Sequence, residues 1–324
     1  MLLTVKNPAD LVAALCTALG FVPTESVIVH LDWADDPTHK PPMFRMDLDA
    51  IEHVPATVED LAARHGQVAV SVVVIGAALA IGHTTTAARV FALEAALHDL
   101  VAVQMVAGTD GHMVWCARDT EGCADTRWTV DLGSHRFVAE AAAAGHTVRP
   151  VSSINADLTP GTGTTWPLVD AQAVSDSIDF TGNADPREWI GRAIKMAARE
   201  IPAQTRTDVA HLVAASTVIP IRDLMWAHIT RANAADALAL WAWVARSAEP
   251  ERAVNALALA GCAAWQTGNG YAARVALANA GAIDPKHSMT ILLDTALTAQ
   301  IDPRTWEPVA VADLQDAVDA LWRA

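Results

Sequence analysis

"NPADLVAALCTALGFVPTESVIVHLDW", residues 7–33, reads as a helix, a tight corner and a buried strand. Asn7 is placed to cap the helix, with Pro8 in its first position and Asp10 in its first turn, where the positive end of the helix dipole favours an acid. Leu11, Ala14, Leu15 and Ala18 recur at helical spacing and make one apolar face. Gly20 suits the left-handed residue that ends a helix, and Pro23 keeps the helix from resuming. "SVIVHL" (26–31) is rich in β-branched residues, as a strand requires. A helix turned this tightly into a strand predicts an α/β or α+β layer domain.

The pattern continues on the C-terminal side. "MFRMDL" (43–48) is expected as a neighbouring strand. "TVEDLAARHG" sets Thr57 and Asp60 at capping-box-like spacing, so a short helix is expected from there. "QVAVSVVVIG" (67–76) is almost unbroken in its apolar character, which predicts a central strand buried on both faces. A helix over 84–100, two strands ("VAVQMVA" and "HMVWCAR") about the turn "GTDG", and a helix over 134–145 closed by Gly145 complete the N-terminal domain, residues 1–150. Residues 151–183 turn rich in Thr, Gly and Pro and read as a linker or long connection. Residues 184–324 are helical almost throughout, with breaks at prolines, and predict an all-α domain. Within them "AAWQTGNGYAARVALANAGAIDPKHSMT" has the small residue and aromatic before Gly, the Ala-rich second helix and the helix-ending "DP" of a tetratricopeptide pattern. A free-standing array needs about three such units. One is clear here, so it is read as a helix pair docked into a bundle.

Hydrophobic residues make up 52% of the 324 and charged residues 18%, enough for a substantial core. The formal net charge is -15, and no Lys/Arg cluster offers a phosphate-binding surface. Nucleic-acid binding is therefore disfavoured, while an acidic surface that mimics nucleic acid stays open. No apolar run reaches the roughly 18 residues of a membrane span. The N-terminus lacks the basic and long apolar segments of a signal peptide. Four cysteines are too few for a disulfide scaffold. A cytoplasmic location with reduced thiols is expected.

The chain contains no G-x-G-x-x-G, G-x-S-x-G, H-E-x-x-H or C-x-x-C, and "GTGTTW" (161–166) lacks the Lys-Ser/Thr ending of a phosphate loop. No catalytic residue and no cofactor follow. Arg45 and Asp47, two apart on a strand, point to one face. That face is either a solvated strand side or an anion-binding arginine oriented by a carboxylate. With Ser26 they form the candidate pocket. Pockets of open α/β sheets lie beyond the carboxyl ends of strands and not before their starts. On that rule the corner "GFVPTES" is expected to serve the fold more than a site. His112, Cys116, Cys123 and His135 have zinc-binding side chains, but H-x3-C-x6-C is not a standard knuckle, so no metal is assigned. His112, Cys116 and Cys123 stay as the alternative set. Eleven tryptophans stand against one tyrosine. Trp241 and Trp243, two apart on a helix, cannot share one face. One is expected in the core and the other at a contact with a neighbouring helix, domain or subunit.

The opening segment "NPADLVAALCTALGFVPTESVIV" resembles the start of an actinobacterial family known as domain of unknown function 4192. The likeness continues through "FRMDL" and "VWCARDTEGC". It is strong again over "ALAGCAAWQTGNGYAARVALANAGAIDPKHSMTILLDTAL". Two features depart from the family pattern. Cys123 stands alone in "GCADT", where members often carry paired cysteines followed by Pro, and "VSSIN" replaces the usual Ser-Arg after Gly145. The resemblance implies an origin in actinobacteria or their phages. It carries no activity with it.

The reading that follows is a cytoplasmic, non-catalytic protein-interaction or self-assembly module. Its partner is another protein or a second copy of itself in a homo-oligomer, with no membrane involved. One alternative is an enzyme or binder of small molecules or anions at an N-terminal pocket around Arg45 and Asp47. A second is an acidic inhibitor that mimics nucleic acid.

Overall fold

The computed structural model describes residues 5–33, 43–65, 68–77, 84–116, 128–144, 147–163, 166–178, 186–307 and 309–321. The chain divides into two compact units, Met1–Val151 and Ser152–Ala324. It is a mixed α/β protein, with its sheet in the first unit and helices dominating the second.

The first unit holds α1 (Pro8–Leu19), β1 (Phe21–Val22), β2 (Ser26–Trp33), β3 (Met43–Asp47), α2 (Val54–His65), β4 (Val68–Ile75), α3 (Thr84–His98), β5 (Ala102–Thr109), β6 (Met113–Cys116), β7 (Trp128–Thr129), α4 (Arg136–Ala143) and β8 (Arg149–Pro150). Six strands pair in the order β3-β2-β4-β5-β6-β7. Only β4 and β5 run parallel, as their connection through α3 requires; the other neighbours are antiparallel. β1 and β8 form a separate parallel pair.

Alternation along β2 and β4 decides the layers. Val27, Val29, Leu31, Val70, Val72 and Val74 face a core shared with Ile51, Val54, Val58 and Leu61 of α2 and its leading turn, and with Val90, Leu93 and Leu97 of α3. Ile28, Val73 and Ile75 face the opposite core, shared with Leu11, Val12, Leu15 and Cys16 of α1. Both faces of β4 are thus covered, which explains its continuous run of valines. Each such side chain contributes about 1.5–3 kcal/mol by leaving water.

α1 forms as its sequence dictates. Asn7 accepts a hydrogen bond from the Asp10 N–H at 2.9 Å, and Asp10 in return accepts from the Lys6 N–H at 2.9 Å. Gly20 ends the helix at φ 76°, donating to Cys16 O and Thr17 O. α2 starts earlier than expected. Thr57 does not cap it; its hydroxyl donates to His53 O from inside the helix, because a 3-10 turn over Leu48–His53 feeds directly into Val54. Gly145, expected to close α4, lies outside the described residues.

The second unit contains α5 (Val151–Asp157), which straddles the boundary, then α6 (Ala171–Ile178), α7 (Pro186–Ala197), α8 (Arg206–Ser216), α9 (Ile219–Ala227), α10 (Ala234–Ser247), α11 (Val254–Gln266), α12 (Gly270–Ile283), α13 (Ser288–Thr298) and α14 (Val311–Ala320). The stretch read as a linker or long connection is built into this unit. Leu158 is buried, Asn279 donates to its carbonyl at 2.8 Å, Asp157 pairs with Arg246 at 2.9 Å, and Val169 bridges Ala248. Its prolines and glycines shape turns between short helices, and composition alone does not separate that from a free linker.

α11 is buried along its length from Ala256 to Gln266. Its small residues let α12 approach closely; a Cβ on Gly261 would stand 2.8 Å from Leu277 Cδ2. The tetratricopeptide-like pair is therefore α11 and α12, turned by Gly268 at φ 83° and by Asn269, whose side chain accepts from the Ala272 N–H. α8 starts on a capping box in which Thr205 accepts from the Asp208 N–H and Asp208 accepts from the Thr205 N–H. Burial works against the Asp208 charge, but donors from Gln204, Arg192 and Thr205 hold its carboxyl below the usual range. Among the described residues no helix is long and apolar enough to cross a membrane.

Candidate functional site

The corner after α1 leads to a cavity in the sheet unit. Phe21 is buried and pairs across to Arg149, whose N–H donates to Gly20 O at 3.0 Å. Two residues past Pro23, Glu25 adopts φ 43°, a left-handed conformation that costs a non-glycine residue about 1–3 kcal/mol. Contacts on both sides hold it there. Its carbonyl accepts from the Leu48 N–H at 2.9 Å, and its carboxylate Oε1 accepts from the Ala77 N–H at 2.7 Å.

Ala77 and Gly76 directly follow β4, and the Gly76 N–H donates to Thr109 O at the end of β5. Gly76 has no room for a side chain; a Cβ would lie 2.8 Å from Leu48 Cδ2 and 3.2 Å from Glu25 Oε2. The ends of the two parallel strands, the α1 side chains Val12 and Cys16, and the corner residues Val22 to Glu25 enclose a cavity of about 160 Å³. Thr109, Asp110, Gly111 and Leu132 complete its wall.

Chemically the cavity is an apolar pocket with acids at its border. Thr109 is fully buried and internally satisfied, donating to Met113 O at 2.8 Å and accepting from the Gly111 N–H at 3.0 Å. Asp110 Oδ1 accepts from the His112 and Met113 N–H groups. Desolvation opposes its charge, but those N–H donors hold its carboxyl below the usual range. Burial pushes the Cys16 thiol up to about 12, so it is a neutral wall and not a nucleophile at neutral pH.

Position corrects the rule applied to the corner. β2 runs antiparallel to β4, with Ser26 opposite Ile75. The start of β2 therefore lies beside the carboxyl end of β4, where α/β pockets form. A single sequence does not give strand direction, so the corner looked remote from the crevice it helps to wall.

The candidate trio of Ser26, Arg45 and Asp47 does come together. Arg45 Nε donates to Ser26 Oγ at 2.8 Å, and its Nη2 pairs with Asp47 at 2.6 Å. Ser26 is fully buried and donates to Thr24 O at 2.6 Å. The Arg45 side chain is 20% exposed and Asp47 70%. None of the three lines the 160 Å³ cavity. Through Ser26 and Asp47, Arg45 braces the strand start next to Glu25. Glu25, Thr109 and Asp110 are the site residues that sequence reasoning missed; a charged residue directly before a buried strand was the available signal.

His135 caps α4 and pairs through Nε2 with buried Asp10 at 3.3 Å, beside an Arg136–Asp10 pair at 2.7 Å. It ties α4 to α1. His112 is exposed on the β5–β6 turn. Cys123 and the side chain of Cys116 lie outside the described residues. In the helical unit Trp241 is fully buried, which removes it as an exposed contact anchor. Trp243 is half-buried and meets Trp166 edge-on at 6.3 Å.

No curated protein and no solved structure matches the chain. The family profile described as Domain of unknown function (DUF4192) matches residues 8–304, which include the corner, both parallel strands and the α11–α12 pair. On that match the chain belongs to the DUF4192 family.

Proposed function

We propose that the sheet unit binds a small organic molecule in the crevice at the carboxyl ends of β4 and β5. One observation carries the reading: a 160 Å³ cavity sits where parallel strands end, walled by a glutamate held at φ 43°. Backbone strain of this kind concentrates at functional sites, where the surrounding structure over-determines it. A largely apolar wall with few polar groups is the usual make-up of a small-molecule pocket. A thermal-shift screen against a library of small metabolites tests it, with Thr24→Trp as the control. Thr24 is exposed at the cavity border, so the larger side chain closes the mouth without touching the core. Hits should raise the wild-type melting temperature and leave the variant unmoved. Hits that stabilise both proteins equally place binding elsewhere and sink the reading.

A second reading, protein interaction or self-assembly, draws support from the helical unit. Ile291 and Leu292 stand next to each other on α13, about half exposed at 51% and 48%. Mass by light scattering for wild type and for an Ile291→Asp/Leu292→Asp variant decides it. A wild-type monomer at all concentrations removes self-assembly.

A further inference from the structure

We infer that the crevice selects a cation: a small molecule that presents a protonated amine on a short apolar body. This rests on the ligand-binding reading of the same crevice and adds the class of ligand.

Unused hydrogen-bonding capacity borders a defined cavity. Among the described residues of the wall, two carry charge, Glu25 and Asp110, and both are acids; none is Lys, Arg or His. Each acid commits one oxygen to the fold. Glu25 Oε1 takes the Ala77 N–H, and Asp110 Oδ1 takes the His112 and Met113 N–H groups. The second oxygen of each receives no hydrogen bond among the described residues. The Glu25 Oε2 lies against Gly76, at the cavity wall, 3.2 Å from where a Cβ would be.

Four donors beside them are already used. The N–H groups of Gly76, Ala77 and Gly111 are given to Thr109 O, Glu25 and Thr109 Oγ1, and the Thr109 hydroxyl is given to Met113 O. The fully buried thiol of Cys16 adds a small, neutral part of the cavity wall. The described wall holds no donor with positive charge, and a carboxylate beside apolar surface attracts an ammonium more strongly than it would in bulk water.

The test is a titration followed by amide resonances of Gly76, Ala77 and Gly111. Three probes share one carbon chain and differ in head group: butylammonium, butanol and butyrate. Wild type, Glu25→Gln and Asp110→Asn are compared. Both variants keep the oxygen that accepts the structural N–H, so melting curves should match wild type and show that the fold is intact. Butylammonium should shift the three amides in preference to the other probes. Its affinity should fall about tenfold in each variant, the usual loss for a charge-assisted hydrogen bond. Butanol or butyrate binding as tightly as the amine, or an amine affinity indifferent to both substitutions, overturns the charge selection and leaves the crevice a ligand site. If no probe moves these amides, both readings fall together.

Discussion

In the helical unit, α11 is covered on every side from Ala256 to Gln266, and Gly261 leaves no gap against Leu277. In the sheet unit, Gly76 is as tight against Leu48, yet the α1 side of the same strand end opens on a 160 Å³ cavity. The difference follows from geometry. Helices rich in Ala and Gly approach until backbone meets side chain, and neighbouring turns fill each other's grooves. The parallel strands β4 and β5 simply stop, at Ile75 and Thr109. A small Cys16 on α1 does not fill what they leave. Close packing is the default of the interior, so an unfilled strand end walled by strained backbone is where binding is to be sought.

The largest expected effect tests the packed side of this comparison. Trp241 is fully buried on α10, and truncation to Ala should destabilise the helical unit by about 3–5 kcal/mol. Trp243, half-buried beside Trp166, should lose about 1 kcal/mol, the cost of an aromatic edge contact and part of its burial. Hydrogen exchange of α10 peptides in the two variants reads the contrast. Equal losses would mean that the helix does not present one of the two to the core.

The middle effect sets the two interiors directly against each other. Gly261→Val puts branched volume where a single Cβ already meets Leu277 at 2.8 Å, and should cost about 1–3 kcal/mol. Cys16→Leu puts volume into the open cavity, and should stabilise the sheet unit by about 0.5–2 kcal/mol while displacing any ligand. Denaturant midpoints give both signs. A destabilising Cys16→Leu would show that the cavity has no room to be filled, and the contrast between the units would fail.

Much of this architecture was legible because it rests on local chemistry. Asn7, Pro8, Asp10 and Gly20 mark α1 to the residue, since caps act within one turn. The unbroken valines of β4 announced burial on both faces. The crevice was not legible, because it depends on β2 running antiparallel to β4, with Ser26 opposite the distant Ile75, a pairing that no local pattern specifies. For the same reason Arg45 drew attention by its charge, while Glu25, whose importance is a backbone angle and a contact to Ala77, did not. Residues 151–183 read from composition as a linker or long connection, and composition does not show which; bonds from Asn279 and Arg246, and those of Val169 with Ser247 and Glu249, tie their described part into the helical unit.

The smallest expected effect is a pH dependence of the helical unit through His287. His287 caps α13: its Nδ1 accepts from the Thr290 N–H at 3.4 Å and lies 2.8 Å from the Thr290 hydroxyl, while its Nε2 donates to Asn255 of α11 at 3.0 Å. The groups facing it are Arg222 of α9, itself paired with Asp223, and Asp284 at the end of α12. Burial lowers the affinity of His287 for a proton, and Arg222 lowers it further, against a smaller opposing pull from Asp284. A histidine with a lowered folded pKa contributes fully while both states are neutral, above the unfolded value of about 6.5. As pH falls through that value the unfolded chain takes up the proton first, so stability declines until the folded pKa is passed. His287→Asn keeps a capping side chain and removes the titration. The helical unit of wild type should therefore lose more stability than the variant between pH 7 and pH 5, with the two alike at pH 8 apart from a constant offset. Denaturant melts of both proteins at these pH values measure it. A variant with the same acid slope as wild type would move the dependence to other groups, His228 first among them, since burial lowers its proton affinity as well.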